Sequence, residues 1–440
     1  MVPVPSLWGL IPLLVFIALV FKGWNPVAAI VTSLIVGAIM GGVPPAEVAA
    51  AIQGGMGSFI AYVGLIIMAG GGLGKVAEET GAARKIVRFI VYRVGVTTPA
   101  KAMIGTMIAS ALLVALLGTL AGANAVIAPV VIPIVAAAGL SSSVVAVIFQ
   151  GAGATGLFLG PFTPPMVTLM GLTDLTYPQV LLGAGIPVSI VLWITTYIYC
   201  QRILPRSIKE HPYDEEAVAV LSEDNDTPKT ARQESIANQA TFAFIIALLG
   251  FIVYGIIIEG GATFAIFVIL ATAIVTGLVG RLHPTKLAET FIDGAKPLTW
   301  LFIQFVLFSP FLKFIEDMGA FEAVKNLLLP YIEAGGQGLL VFLASLIGVV
   351  GVPGAAVAQK VVLHEMFGGM VETLAVPMAV WVLALLVGSQ ITSFLYPTGD
   401  TLGAMGLARS DDLRNMIIFG VVATIPVLIY VAIRVFLFAM

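Results

Sequence analysis

Apolar residues run along this chain in blocks long enough for a helix to cross the roughly 30 Å hydrocarbon core of a bilayer. Five such blocks lie in the first half, at 6–22, 27–43, 56–75, 142–170 and 178–201. Five more follow, at 238–257, 262–280, 297–314, 376–402 and 414–438. Each half also contains an apolar stretch, 101–139 and 338–374, that divides into two segments at a glycine cluster. Each limb reads as shorter than a full span. That predicts a re-entrant hairpin returning to its own side, with two ordinary tilted helices as the alternative. Stretches 76–97 and 316–334 mix charges with apolar residues at helical spacing and read as interfacial helices that carry the hairpins. The long polar stretch 206–236 predicts a solvated linker between an N-terminal unit, 1–205, and a C-terminal unit, 237–440.

The blocks repeat in wording as well as in length. Phe158-Leu-Gly-Pro161 with Met170-Gly-Leu172 returns as Phe394-Leu-Tyr-Pro397 with Met405-Gly-Leu407, and Lys75-Val-Ala-Glu78 returns as Lys313-Phe-Ile-Glu316. The offsets stay between 235 and 238 residues. Charges between the blocks orient them. With the N-terminus outside, Lys22, Lys75, Arg84, Lys85, Arg88, Arg93, Lys101, the linker, Arg281, Lys286, Lys296, Arg409 and Arg414 face inward. Only Lys313 and Lys325 stand near the outer face. Five spans per unit is an odd number, so the two units are expected to lie inverted. The fold class is therefore an all-α polytopic membrane protein made of two inverted five-helix repeats, each with a re-entrant hairpin and a broken helix.

Composition agrees: 59% of residues are hydrophobic and only 10% charged, against about 25% charged in soluble domains. The 25 prolines and 47 glycines suit helices broken where backbone lines a cavity. One cysteine, Cys200, leaves no disulfide framework, and three scattered histidines make no zinc site. No nucleophile–base pair stands within the spans, which speaks against an intramembrane enzyme. No cofactor is expected beyond a coupling Na⁺ or H⁺, and no nucleic-acid partner.

Candidate chemistry gathers where spans break. Thr155, Thr163 and Pro164 lie in the first break, and Ser389, Thr392, Ser393, Thr398, Asp400 and Thr401 in the second. Such breaks offer hydroxyls and freed backbone groups to a solute or ion, although a proline kink with back-bonded hydroxyls would also explain them. Asp400 is the only carboxylate inside the two broken spans, which points to ion coupling. The alternative is that it caps the next helix at the surface. The hairpin tips contribute Thr119, Gly122 and Asn124 on one side and Pro353 and Gly354 on the other. Lys360 and His364, at i and i+4, share a helix face and can serve an anion or a proton, unless their limb reaches solvent. Gln150 and Gln304 read as partners between helices.

The duplicated hairpin and Pro-Thr broken helix resemble the ion transporter superfamily, with closest likeness to its anaerobic C4-dicarboxylate carrier, gluconate-type permease and Na⁺/H⁺ antiporter-related branches. The likeness covers nearly the whole chain in architecture and 118–175 and 348–413 in motif. It implies a substrate held between hairpin tips and broken helices, at Thr119, Gly122, Asn124, Thr155, Thr163, Pro164, Pro353, Gly354, Ser389, Thr392, Ser393 and Thr398. A coupling ion would sit by Asn124, Thr398, Asp400 and Thr401. The Ser-Asn-Thr signature of dicarboxylate/sodium symporters is missing from both tips, which read Ala-Gly-Ala-Asn and Val-Pro-Gly-Ala. The resemblance further implies a homodimer in a prokaryotic cell membrane with a cytoplasmic linker. Its expected function is H⁺- or Na⁺-coupled uptake of a small organic anion, with cation/proton antiport as the alternative.

Overall fold

The computed structural model describes residues 4–95, 98–214, 230–258, 260, 262–351 and 356–436, and among them the ordered elements are all helical. The first half runs α1 (Ile11–Phe21), α2 (Pro26–Met40), α3 (Pro45–Gly55), α4 (Phe59–Glu79), α5 (Ala82–Val94), α6 (Pro99–Leu117), α7 (Leu120–Ala137), α8 (Ser142–Leu159) and α9 (Pro164–Thr173). A single turn, α10 (Tyr177–Val180), and a π turn (Leu181–Gly185) lead into α11 (Ile186–Glu210). The second half runs α12 (Ala231–Ile257), α13 (Ala265–Val279), α14 (Pro284–Ala295), α15 (Thr299–Asp317), α16 (Ala320–Val349) and α17 (Ala356–Thr373). It ends with α18 (Met378–Gln390), α19 (Thr392–Leu395), α20 (Gly399–Leu407) and α21 (Leu413–Phe436). Among the described residues nine helices are long and apolar enough to cross a membrane.

Prolines at the first or second helical position open α2, α3, α6, α9 and α14, where a missing N–H costs nothing. Side-chain caps at Ser58, Thr98, Ser141 and Thr230 start α4, α6, α8 and α12. Two groups of helices result. In one, α4 packs on α13 and α14 while α15 packs on α2 and α3. In the other, α6, α7, α8 and α11 pack together, as do α16, α17, α18 and α21.

Several expectations change in the structure. Limbs α6 and α7 have 19 and 18 residues, about 28 Å of helix each, so the expected shortness is corrected: both are long and apolar enough to cross a membrane, as the alternative of two ordinary helices required. Helices α3 and α14 were not foreseen, because their small and charged residues resemble loop in an apolar chain. The amphipathic segment expected at 76–97 is divided: α4 continues to Glu79, and Gly81 at φ +79° starts α5. Within α16 the arm and the following limb are two helical segments that meet at Gly336, whose φ of +67° only glycine adopts readily. The described ends of the linker are helical, 206–210 in α11 and 231–236 in α12.

Candidate functional site

Helix α8 ends at Leu159, and the chain turns through Gly160, Pro161 and Phe162 before α9 begins at Pro164. Prolines at 161, 164 and 165 remove three donors from the ladder, so carbonyls are freed at this point. They are taken up locally. Thr163 Oγ1 donates to the carbonyls of Leu157 at 2.6 Å and Gly160 at 2.9 Å, and the Tyr177 hydroxyl donates to Leu159 at 2.6 Å. A Cβ at Gly185 would strike the Phe158 carbonyl, so the π turn is held hard against it. Thr163 and Pro164 thus shape the break, and the expectation of unused carbonyls is corrected there.

The first hairpin tip meets that break. Gly118, at φ +72°, closes α6, and a Cβ on it would lie 3.8 Å from the Phe162 carbonyl oxygen. Thr119 takes the N-cap position of α7 without a side-chain cap bond, with Gly122 exposed one turn on. Helix α9 continues ten residues past the break, about 15 Å, so the tip stops short of its far end. Asn124 is fully buried and faces its own unit: it accepts from Ser110 at 2.7 Å and donates to the Phe149 carbonyl at 3.4 Å. Thr155 is likewise engaged, accepting from the Trp193 indole at 2.7 Å.

The second half repeats these contacts with other residues. Gln359, in the first turn of α17, donates its side-chain amide to the carbonyls of Gly348 and Gly388 and lies 3.1 Å from Thr392 Oγ1. Thr392 donates to the Gly348 carbonyl at 2.8 Å. Gly420 abuts the Phe394 carbonyl as Gly185 abuts that of Phe158. The Tyr396 hydroxyl donates to Val350 at 3.3 Å, which brings the second tip to the second break. Ser389 Oγ bonds back to Leu385, and Ser393 Oγ to Gln390. Pro353 and Gly354 lie outside the described residues.

The two breaks approach one another crosswise. Helix α20 packs on α7 and α8, and α9 packs on α17 and α18. Gln150 of α8 donates to the Ser393 carbonyl at 3.3 Å, the interhelical role expected of it, and Thr401 Oγ1 reaches the same carbonyl at 3.1 Å. The Gln150 oxygen, the Gln390 amide nitrogen and both polar atoms of Gln304 are buried without partners. Gln304 therefore bridges no helices, contrary to expectation. Thr398 N-caps α20 and lies 3.4 Å from Thr401. Asp400 occupies the exposed first turn of α20, where a carboxylate favours the positive helix end. The cap expected of Asp400 in the alternative reading is made by Thr398 instead.

Lys360 is the opposite case. Its side chain has 0% exposure and its Nζ has no hydrogen-bond partner, which removes the solvated alternative. His364, one turn on, is half-buried and accepts from the Trp381 indole at 3.1 Å through Nδ1. A cavity of about 660 Å³, lined by Phe59, Pro161, Phe162, Asp174, Tyr177 and Phe264 among others, leads to the first break between the two helix groups.

At these contacts the sequence can be placed. A family model described as a citrate transporter, CitMHS, matches residues 16–292, more than half of the chain. The chain belongs to the citrate transporter family. That match takes in the first hairpin and first break and ends within α14, before the second hairpin. It is a transporter family, and nine apolar helices make this member a multi-pass membrane protein. A search of curated protein sequences finds no match. Among solved structures, MtrF of Neisseria gonorrhoeae, described with a class of antimetabolite efflux pumps, aligns with a TM-score of 0.49 at 13% identity. The alignment covers 88% of this chain and 82% of MtrF. Likeness of that degree bears on neither substrate nor direction here.

Sequence reading missed a polar cluster at the other end of α8. Asp412, buried between α20 and α21, accepts from Ser143 at 2.7 Å, from the Asn415 backbone at 3.1 Å and from the Asn415 side chain. His211 lies 3.5 Å from Asp412 and 2.9 Å from Asp411. Burial pushes the Asp412 carboxyl up, but the Asn415 and Ser143 hydrogen bonds and His211 outweigh it, and the net shift is downward. Only the Ser143–Asp412 spacing of 269 residues carries this information, and no local motif announces it.

Proposed function

We propose that this member of the citrate transporter family is a secondary active carrier that takes up a small organic anion, a carboxylate, coupled to H⁺ or Na⁺ by alternating access. The observation that carries this reading is the meeting of each hairpin tip with a proline break: Gly118 with Phe162, and Val350 with Tyr396. Helix ends and hydroxyls converging in the membrane interior suit a polar solute that must leave water for part of its path. Family membership supports a carboxylate as that solute. The site would be formed by Thr119 and Gly122 of one tip and by Ser393, Thr398 and Thr401 near the other break. Asn124, Thr155, Thr163, Ser389 and Thr392 would hold its walls. A coupling Na⁺, if that is the ion, would take oxygens near Thr398, Asp400 and Thr401. A homodimer in a prokaryotic cell membrane, with 206–236 cytoplasmic, belongs to the same proposal.

The test is uptake of labelled citrate by purified protein in liposomes, with pH and Na⁺ gradients imposed separately. Accumulation driven by either gradient is expected. Transport indifferent to both gradients would sink the coupled mechanism. In the rival cation/proton antiport, citrate would not move and Asp400→Asn would abolish exchange.

A further inference from the structure

Of the charged side chains among the described residues, two are buried, Asp412 and Lys360. Asp412 is saturated with donors, whereas Lys360 Nζ has none of the acceptors an ammonium requires. A cation enclosed without an acceptor is costly, and a protein that needed only the volume would be better served by methionine. Lys360 is therefore a buried amine with no acceptor among the described residues.

Its position says what the partner is for. Lys360 follows Gln359, whose amide closes the second hairpin on the second broken helix at Gly348 and Gly388. It is the fifth residue of α17, so it stands near that helix's N-terminal end, where the backbone also favours negative charge. Helix α17 packs on α9, the far half of the first break, so this stretch faces both units. At the offsets of 235–238 that relate the two halves, Lys360 falls opposite Gly122, Ala123, Asn124 or Ala125, none of them basic, so only one half carries the amine.

The ionisable surroundings are sparse. Helices α9 and α18 contain no ionisable residue, and Asp174 follows α9. The limb of α16 from Gly335 to Val349 contains none, and its arm carries Tyr331, Glu333 and the pair Glu322–Lys325 at 3.4 Å. At the end of α15 stand Glu316 and the pair Lys313–Asp317 at 2.9 Å. On α17 itself lie His364, Glu365 and Glu372. Among described residues none forms an ion pair with Lys360. His364 stands one helical turn away; its Nδ1 receives the Trp381 proton, which leaves Nε2 to exchange one.

We propose that Lys360 is where this carrier loads its coupling proton, and that the ammonium so formed receives a carboxylate of the transported anion. The inference rests on the carboxylate-transport reading above and deepens it. One proton joins the free amine, one carboxylate pairs with the resulting ammonium, and both leave on the opposite side, so one proton accompanies each anion.

The experiment compares wild type, Lys360→Met and Lys360→Arg in proteoliposomes, with labelled citrate and a pH dye. Wild type should accumulate citrate under a pH gradient, with protons entering alongside, and should exchange citrate for citrate without a gradient. Lys360→Arg keeps the charge and cannot release it. Its gradient-driven accumulation should fall at least about tenfold more than its citrate exchange does. Lys360→Met should lose stabilisation by citrate in thermal melting, yet melt no lower than wild type without ligand, because an apolar chain of similar volume replaces a buried charge. Undiminished pH-driven accumulation in either variant overturns the proposal. Wild-type uptake driven by Na⁺ alone and unaffected in Lys360→Met overturns it while leaving the carboxylate reading intact. A wild type that moves neither citrate nor any other carboxylate defeats both.

Discussion

Thr392 donates its hydroxyl to the carbonyl oxygen of Gly348 at 2.8 Å, and this one bond ties the second broken helix to the limb that carries the second hairpin. The same carbonyl also receives the Gln359 amide, so the two donors share a load. Thr392→Val should therefore cost little, about 0.6 kcal/mol, the usual value of a hydrogen bond between membrane helices. Gln359→Leu strips donors from Gly348 and Gly388 together and should cost more, about 1–3 kcal/mol. Melting of the purified variants in detergent checks the order. Because the two side chains touch, the double variant should depart from additivity.

Gly420 and Gly185 admit no Cβ, since each lies against a backbone carbonyl at a break. Alanine at either position should lower the melting temperature and the yield of folded protein, with Gly420→Ala the worse because the Phe394 carbonyl is nearer. Gly250 of α12, with no atom within 4 Å of an added Cβ, is the control. Alanine there should be neutral or slightly stabilising.

Asp412 gives a pH prediction whose sign follows from its lowered pKa. Its stabilising contribution is full above the ordinary aspartate value of about 3.9 and is lost as pH falls through the lower folded value. Asp412→Asn should melt below wild type at neutral pH, and the two should converge only in strong acid. A gap that stays constant through acid would show that the charge is not what Ser143 and Asn415 hold.

Asp400→Asn offers the sharpest contrast with Lys360. An exposed carboxylate in the first turn of α20 contributes about 0.3–1 kcal/mol to that helix. With the proton carried at Lys360, Asp400→Asn should keep pH-driven citrate uptake near wild-type rates. Loss of uptake in a variant that still melts normally would return the coupling role to Asp400.

What could be read from the chain beforehand was the scaffold of the breaks. Phe158-Leu-Gly-Pro161 and Phe394-Leu-Tyr-Pro397 announced where α8 and α18–α19 would stop, because proline removes donors wherever it stands. Helices α4 and α15 were legible from apolar length and from their matching Lys-x-x-Glu ends. Helices α3 and α14 were not, since Ala-rich and charged turns signal a helix only once α15 and α4 cover them. The fate of each polar residue was harder still. Thr163 and Tyr177 occupy the carbonyls that proline frees, and Lys360 is buried on a helix, α17, that packs on α9, almost two hundred residues away. Such facts belong to tertiary packing, which a local pattern does not encode.

The bond from the Trp193 indole to Thr155 has an optical consequence. An indole that donates a hydrogen bond emits at a wavelength and yield that depend on that partner, and Thr155 lies one turn before the first break. Trp381 is tied in the same way to His364, beside Lys360. Two of the five tryptophans thus stand next to the two halves of the proposed site. The unlabelled protein carries its own fluorescent gauge of each half, read as the difference between wild type and a variant in which either tryptophan is converted to phenylalanine.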